Sequence, residues 1–306
     1  MMNSTMKSIY THQSENIMKT WFFMGVFLML FIAFGYFLAG YFGNSMILYV
    51  MVAFSAGMAI WSYWHSDKAV LRMQGAHPVT KEEAPELYTI VENLAITAGL
   101  PMPKLYIMEE RQMNAFATGR DPEHAAMAFT RGLLERLDRT ELEGVAAHEM
   151  SHIGNRDMLV MTIAVVMAGF ISIAADWVRN GMIFGGGDSD NRQHPAFVIL
   201  GVLATVLAPV AAMLIQMVIS RKREFLADAT GALLTRYPEG LARALEKISA
   251  DSTPLQHAHG ATAHLFITNP FRGTALRNVF ATHPPVEERI RRLREMDFGG
   301  ASTHGA

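Results

Sequence analysis

The sequence contains no cysteine, and this absence removes several structural and chemical possibilities. No disulfide framework can stabilise the chain, which fits a protein that faces a reducing compartment. No thiolate is available as a metal ligand, so any metal site must use His, Asp or Glu side chains. The chain also lacks an excess of charge of one sign, since its formal net charge is −2. Nucleic acid is therefore not expected as a partner.

A second absence concerns charged residues near the N-terminus. No charged residue lies between Lys19 and His65, and 51% of the chain is hydrophobic. This run is too long for one membrane span and is broken by residues 40–45, so it predicts two transmembrane helices of about 20 residues each, joined by a tight turn. A cleaved signal peptide would have a shorter apolar core, so we expect a retained anchor.

Two later apolar segments, residues 158 to about 178 and residues 196–220, predict a second hairpin of two spans. A buried helix pair of a soluble protein could be equally apolar, and this alternative stays open for each hairpin. Two hairpins divide the chain into four parts. These are the N-terminal segment with the first hairpin (1–65), a first soluble part (66–156), the second hairpin (157–220) and a second soluble part (221–306).

Basic residues flank the predicted spans mainly on one side. With two hairpins, both termini and both soluble parts share a side of the membrane, and most of the flanking basic residues lie there. They are Lys7, Lys19, Lys68, Arg72, Arg156, Arg221, Lys222 and Arg223. The opposite side carries only Arg179 and Arg192, so the positive-inside rule predicts that the termini and soluble parts are cytoplasmic.

Residues 148–152 read His-Glu-Met-Ser-His, a pattern typical of a catalytic zinc site. His148 and His152 stand four apart, so on a helix they project from one face and can bind one Zn²⁺ at roughly 2.0–2.1 Å each. Glu149 is then placed to take a proton from the attacking water.

A helix is expected around this pattern on independent grounds. Residues 140–143 form a candidate capping box, apolar residues follow at helical spacing, and Gly154 and Asn155 supply an end. The alternative is two histidines on the polar face of an ordinary surface helix. The candidate helix cap, the helical spacing of the apolar residues and the position of Glu149 all agree, and this agreement favours the metal site.

A zinc site of this type usually takes a third protein ligand. Glu224 and Asp228 stand four apart on an expected helix, so one can bind metal while the other orients a histidine. A solvated acidic pair beside the basic residues 221–223 is the alternative. His152 precedes the third span by about six residues and Glu224 follows the fourth by about four, so both lie within roughly 10 Å of the membrane surface. This proximity favours Glu224 as the third ligand.

Three short segments upstream have strand character: residues 104–108, 114–119 and 125–130. They predict a small sheet whose exposed edge could hold an extended peptide through backbone hydrogen bonds. A structural hairpin with no role in substrate binding stays open as the alternative.

Near the C-terminus, Pro284 and Pro285 suit the start of a final helix. His283 and Arg289 could donate hydrogen bonds to the oxyanion of a tetrahedral intermediate, although a solvated Arg289 on a basic helix is the simpler alternative. Three further histidines lie in a Gly/Ala/Thr-rich stretch, for which a flexible loop is favoured over a second metal site. They are His257, His259 and His264.

Taken together, these segments resemble the HtpX group of membrane zinc endopeptidases and, more distantly, the type 1 CAAX prenyl proteases. The resemblance covers nearly the whole chain, including the four-span layout. It implies a mainly α membrane protein with four transmembrane helices in two hairpins. It also implies a cytoplasmic, gluzincin-like α+β zinc metalloprotease domain that contains a small β-sheet.

The resemblance also implies roles for individual residues. His148, His152 and Glu224 would bind one Zn²⁺, Glu149 would be the catalytic base, and Asp228 would support a ligand. Asn114 would contact the substrate backbone, with Ala115 and Phe116 as candidates beside it, and His283 and Arg289 would stabilise the transition state.

The expected function is that of an integral-membrane, zinc-dependent endopeptidase. It would cut membrane or misfolded proteins at the cytoplasmic face of a bacterial inner membrane, in stress response and protein quality control. The alternatives are a transporter or a zinc-binding scaffold without proteolytic activity. A transporter would carry ionisable groups within its spans, which are nearly free of them here. An intact Glu149 argues against a scaffold. The sequence leaves open which proteins are cut and whether subunits associate.

Overall fold

The computed structural model describes residues 2–167, 221–253, 265–268 and 284–296. This part of the chain is mostly helical and contains one small mixed sheet. It begins with two long helices, α1 (Met2–Phe42) and α2 (Met46–Met73). The part of α1 from Asn16 onward and the whole of α2 are long and apolar enough to cross a membrane. The turn between them includes Gly43, whose φ of 63° is in the left-handed region that favours glycine.

The remaining elements alternate short strands with helices. In chain order they are β1 (His77–Pro78), α3 (Pro85–Ala98), β2 (Lys104–Met108), β3 (Ala115–Gly119), β4 (Ala125–Thr130), α4 (Arg131–Arg136), α5 (Arg139–Gly154), α6 (Asp157–Met167), α7 (Arg221–Thr235), α8 (Pro238–Ala250) and α9 (Val286–Arg294). The three predicted strand segments correspond to β2, β3 and β4.

The sheet has the strand order β1-β2-β4-β3. Strand β4 pairs in parallel with β2 and antiparallel with β3, where Phe116 lies opposite Ala128. Alternate residues of β4 enter two different cores. Met127 and Phe129 pack in the larger core with α3, α5 and α8, whereas Ala126 and Ala128 pack in a second cluster with residues of α1, α2 and α6. The sheet thus lies between the helix that carries the histidines and parts of α1, α2 and α6.

Helix α5 has a capping box, but not the one that the sequence suggested. Asp138 is the N-cap: its carboxylate accepts from the N–H groups of Thr140 and Glu141, and Glu141 accepts in return from the N–H of Asp138. The expected box at residues 140–143 is therefore wrong, because the helix starts one residue before Thr140. The predicted end is confirmed, since α5 ends at Gly154 with Asn155 as its C-cap.

Two glycines let neighbouring helices approach α5 closely. A β-carbon at Gly144 would lie 2.6 Å from the backbone nitrogen of Leu241 in α8. A β-carbon at Gly231 in α7 would lie 3.0 Å from the backbone nitrogen of His148. Both approaches are closer than a methyl group normally tolerates. Gly144, an unfavourable residue for a helix interior, is thus explained by packing.

The second predicted hairpin is described only in its first turns, as α6. Residues 168–220, which contain the rest of the predicted third span and the whole of the predicted fourth, lie outside the described residues. The same holds for the histidines at 257, 259 and 264 and for His283.

Candidate active site

Three predicted metal ligands meet in the structure. His148 and His152 come from consecutive turns of α5, and Glu224 comes from the first turn of α7. Nε2 of His148 lies 3.2 Å from Nε2 of His152. Carboxylate oxygens of Glu224 lie 3.9 Å from Nε2 of His148 and 3.7 Å from Nε2 of His152. All three residues are buried, and their ligand atoms lie within 4.8 Å of one another.

These separations fit a single zinc ion. Two nitrogens bound to a tetrahedral ion at 2.0–2.1 Å lie roughly 3.3–3.4 Å apart, close to the spacing of the two Nε2 atoms. Two imidazoles and one carboxylate leave one tetrahedral position open, which is the donor set of a catalytic rather than a structural site.

Each histidine meets an aspartate on its other ring nitrogen. Nδ1 of His148 lies 3.0 Å from Asp228, and Nδ1 of His152 lies 3.1 Å from Asp157. The hydrogen bond to Asp157 fixes the orientation of the His152 ring, and Asp228 lies at ion-pair distance from the His148 ring. Sequence reasoning found Asp228 from its spacing to Glu224. It missed Asp157, because the contact depends on the turn that follows α5.

Arg289 is fully buried next to Asp228 and His148. Its Nε and Nη2 donate to Asp228 at 2.8 and 2.7 Å, and its Nη1 donates to the carbonyl of Ile267 at 2.9 Å. Burial alone would raise the pKa of Asp228, but the charge of Arg289 and the contact with His148 hold that pKa below its usual value. The solvated Arg289 considered from the sequence is therefore wrong. Asp228 is held as an anion behind His148.

Glu149 follows the first histidine and is also buried. Burial raises the pKa of its carboxyl to about 7, although the backbone N–H of Ala117 donates to the carboxylate and opposes this shift. A carboxyl with a pKa near neutrality can both accept and release a proton at neutral pH. Ala117 lies on β3, so this contact joins the acid–base group to the edge of the sheet.

The two histidines differ in their affinity for protons. Burial lowers the pKa of His148. Burial would lower that of His152 as well, but the hydrogen bond with Asp157 and the charge of Glu224 raise it to about 9. In the absence of metal, these two carboxylates thus favour the protonated form of His152. Metal binding at this site must displace that proton.

Strand β3 lies at the edge of the sheet, as expected, but its free edge is covered. The carbonyl of Asn114 accepts from the N–H of Thr130 in β4, so by alternation the backbone groups of Ala115 and Ala117 face away from β4. The N–H of Ile267 donates to the carbonyl of Ala115 at 3.1 Å, and the side chain of Asn114 donates to the carbonyl of Thr268 at 3.1 Å. The prediction of an exposed edge is wrong, because the described segment 265–268 lies along it.

Comparison with known proteins places the chain among peptidases. Residues 81–297 match the model described as "Peptidase family M48". A "Protease HtpX homolog" of Thermoanaerobacter pseudethanolicus is 46% identical over 296 residues, which cover 95% of this chain and 98% of that protein. Another, of Thermococcus kodakarensis, is 50% identical over 257 residues, which cover 83% of this chain and 88% of that protein.

A solved structure, described as the crystal structure of S. mikatae Ste24p, aligns with 93% of this chain and 67% of its own length. Its sequence identity is 17% and the TM-score is 0.49. The family assignment depends on the sequence matches, which extend over most of the chain. The chain therefore belongs to peptidase family M48.

Proposed function

We propose that this chain is a zinc-dependent endopeptidase of the bacterial inner membrane, which hydrolyses peptide bonds of membrane or misfolded proteins at the cytoplasmic face. The observation that carries the proposal is the meeting of His148, His152 and Glu224 beside a buried Glu149. Two relatives that carry the name "Protease HtpX homolog" support it.

His148, His152 and Glu224 would hold one Zn²⁺ per chain, with Asp228 and Asp157 orienting the two rings. When bound, the ion would supply Lewis-acid chemistry, polarising the scissile carbonyl and lowering the pKa of the attacking water. The carboxylate of Glu149 accepts a proton from that water and passes it to the leaving amine. Its pKa of about 7 suits both steps near neutral pH.

The substrate backbone would pair with the outer edge of β3, which segment 265–268 covers in the structure. Its contacts are the carbonyl of Ala115, now bonded to Ile267, and the side chain of Asn114, now bonded to Thr268. A substrate strand that takes these bonds replaces segment 265–268 along the edge. The side chain of Phe116 packs in the second cluster, on the face of the sheet opposite the histidines, and so stabilises the strand. These contacts hold the backbone whatever its side chains, which suits unfolded substrates of varied sequence.

Arg289 would stabilise the developing oxyanion from its buried position, where Nη2 lies 3.5 Å from Nε2 of His148. Arg289 would also have a second role. Two of its nitrogens donate to Asp228 and a third donates to the carbonyl of Ile267, and this contact keeps the carboxyl of Asp228 ionised next to His148. We assign His283 to the same oxyanion on the strength of the sequence resemblance.

The chain would cross the membrane four times, with residues 66–156 and 221–306 as the two parts of a cytoplasmic protease domain. The wide exposure of apolar side chains on α1 and α2, among them Met29, Tyr36 and Ile60, supports the first hairpin. The apolar residues 196–220 support the proposed second hairpin, and the basic residues beside the spans support the cytoplasmic orientation of the soluble parts.

A cleavage assay in detergent tests the proposed function. Purified protein is incubated with a fluorescently labelled unfolded protein, with chelator, and with chelator followed by Zn²⁺. We expect cleavage by the parent, its loss with chelator and its return with Zn²⁺. Glu149→Gln should lower kcat by about 10²-fold or more, since general base catalysis is worth that much. Glu143→Gln, nearly two turns earlier on α5, should keep the parent rate.

Cleavage by Glu149→Gln at the parent rate would remove Glu149 from the mechanism. If the parent binds zinc but cuts neither the unfolded protein nor a membrane protein, the scaffold without proteolytic activity is the better account.

A further inference from the structure

Asp157 is buried next to the candidate metal site and has three polar neighbours. Its Oδ2 lies 3.1 Å from Nδ1 of His152. Its Oδ1 accepts from Nδ2 of Asn16 at 2.7 Å and lies 3.5 Å from Nε of Arg223. A carboxylate that is only 1% exposed needs such partners, because an unpaired buried charge is costly. One oxygen thus contacts the ligand and the other contacts groups distant in sequence.

Asn16 lies in α1, at the start of the segment that is long and apolar enough to cross a membrane. Its side-chain amide also donates to the carbonyl of Asn155 at 3.2 Å, and its oxygen accepts from Nη1 of Arg223 at 3.4 Å. Arg223 directly precedes Glu224. The side chain of Asn16 therefore contacts residues that follow the ligand His152 and the residue that precedes the ligand Glu224.

The turn between α5 and α6 brings Asp157 to this position. Arg156 has a φ of 57°, a left-handed conformation that non-glycine residues rarely adopt. Such a conformation persists only where the surrounding contacts hold it. The two hydrogen bonds from Asn16, one to each side of Arg156, are contacts of this kind.

We propose that Asp157 is a positioning residue for His152, and that Asn16 of the first helix holds Asp157 so that metal affinity depends on this helix. The inference rests on the proposed function as a zinc enzyme. Asn16 lies outside residues 81–297, which match the family model, so the contact links the peptidase region to the preceding membrane helix. A carboxylate on Nδ1 fixes the tautomer and orientation of a ligating imidazole. If α1 fixes the carboxylate of Asp157, less conformational entropy is lost when the metal ligands are ordered around the ion.

Zinc affinity of the full-length protein in detergent tests the inference. Metal-free parent, Asp157→Asn and Asn16→Ala are titrated with Zn²⁺ against a chromogenic chelator, and the unfolding temperature of each metal-free protein is measured. Thr20→Val is the matched control, because Thr20 is buried one turn along the same helix and donates only to the carbonyl of Asn16.

We expect zinc to bind about 10- to 100-fold more weakly to Asp157→Asn, the usual effect of removing such a partner. Asn16→Ala should weaken binding by roughly threefold to tenfold, as expected for lost hydrogen bonds. Thr20→Val should match the parent. Raising free zinc should restore kcat of Asn16→Ala with KM unchanged, a rescue that a general packing defect would not show.

Parent-like zinc affinity in both Asp157→Asn and Asn16→Ala would overturn this inference while leaving the proposed function intact. The same holds if Thr20→Val weakens zinc binding as much as Asn16→Ala does. A parent protein that binds no zinc would overturn both.

Discussion

Arg289 and Asp228 form a buried bidentate ion pair between α9 and α7. Both carboxylate oxygens of Asp228 accept from the guanidinium, at 2.7 and 2.8 Å, and one of them lies 3.0 Å from Nδ1 of His148. The C-terminal helix is thus connected to a metal ligand on α5 through one aspartate. Arg289 also lies beside the ligand atoms, with Nη1 3.9 Å from a carboxylate oxygen of Glu224.

Removing Arg289 should be strongly destabilising, because it leaves Asp228 charged and buried without its partner. For Arg289→Ala we expect the free energy of unfolding to fall by about 3–5 kcal/mol, measured by denaturant unfolding of the metal-free protein in detergent. Arg291→Ala is the control, since Arg291 lies on the same helix but is exposed and pairs with Glu288 and Glu295 at the surface. Equal effects of the two substitutions would mean that the buried pair has no special importance.

Gly144→Ala should disturb the contact between α5 and α8. The added methyl group would overlap the backbone of Leu241, and overpacking of this kind costs about 1–3 kcal/mol. Gly154→Ala is the matched control on the same helix, because its β-carbon would meet only the side chain of Leu100 at 3.5 Å. Thermal unfolding of both variants checks the prediction, which fails if Gly144→Ala is as stable as Gly154→Ala.

The capping residue of α5 can be identified by mutation. Asp138→Ala should lower the free energy of unfolding by about 0.5–2 kcal/mol, as loss of an N-cap usually does. Glu143→Ala should change it little, because the reciprocal contact is made by Glu141 instead. A larger loss for Glu143→Ala than for Asp138→Ala would support the capping box suggested by the sequence.

Asp251 should make stability depend on pH. Burial would raise its pKa, but hydrogen bonds from Thr253, Met113 and Arg136 hold that pKa below its usual value. A lowered pKa means that ionised Asp251 stabilises the fold above about pH 4, and that this contribution disappears as pH falls through the lowered value. The stability difference between parent and Asp251→Asn should be constant at neutral pH and shrink in acid. A difference that grows on acidification would contradict the assignment.

The membrane topology can be tested by labelling, since the chain has no cysteine of its own. Asn44→Cys, in the turn between α1 and α2, should react with a membrane-impermeant thiol reagent from outside the inner membrane. Thr97→Cys, exposed on α3, should react only after the membrane is opened. Labelling of both positions from the same side would rule out the proposed topology.

The parts of the site that were predicted from the sequence depend on local spacing. His148, Glu149 and His152 lie on two consecutive turns of one helix, so their relative positions follow from helix geometry. Glu224 was predicted from the expected membrane layout, in which the ends of two predicted spans lie close together. The capping box was misassigned because residues 138–141 and 140–143 fit the same pattern, and only the course of the backbone distinguishes them.

The missed parts depend on contacts between segments that are distant in sequence. Asp157 reaches His152 only because Arg156 adopts a left-handed conformation, and Asn16 reaches Asp157 from 141 positions away. The segment 265–268 covers β3 through hydrogen bonds that no local pattern encodes. Tertiary packing, rather than residue type, places these groups.

Zinc content is the most direct test of the central claim that His148, His152 and Glu224 hold one catalytic ion. Parent, Glu149→Gln and Glu224→Ala are purified in detergent, equilibrated with the same weak chelator and analysed for metal per chain. We expect one zinc in the parent and in Glu149→Gln, and a large loss in Glu224→Ala. Full zinc occupancy in Glu224→Ala would contradict the account and move the third ligand elsewhere, with Asp228 as the next residue to test.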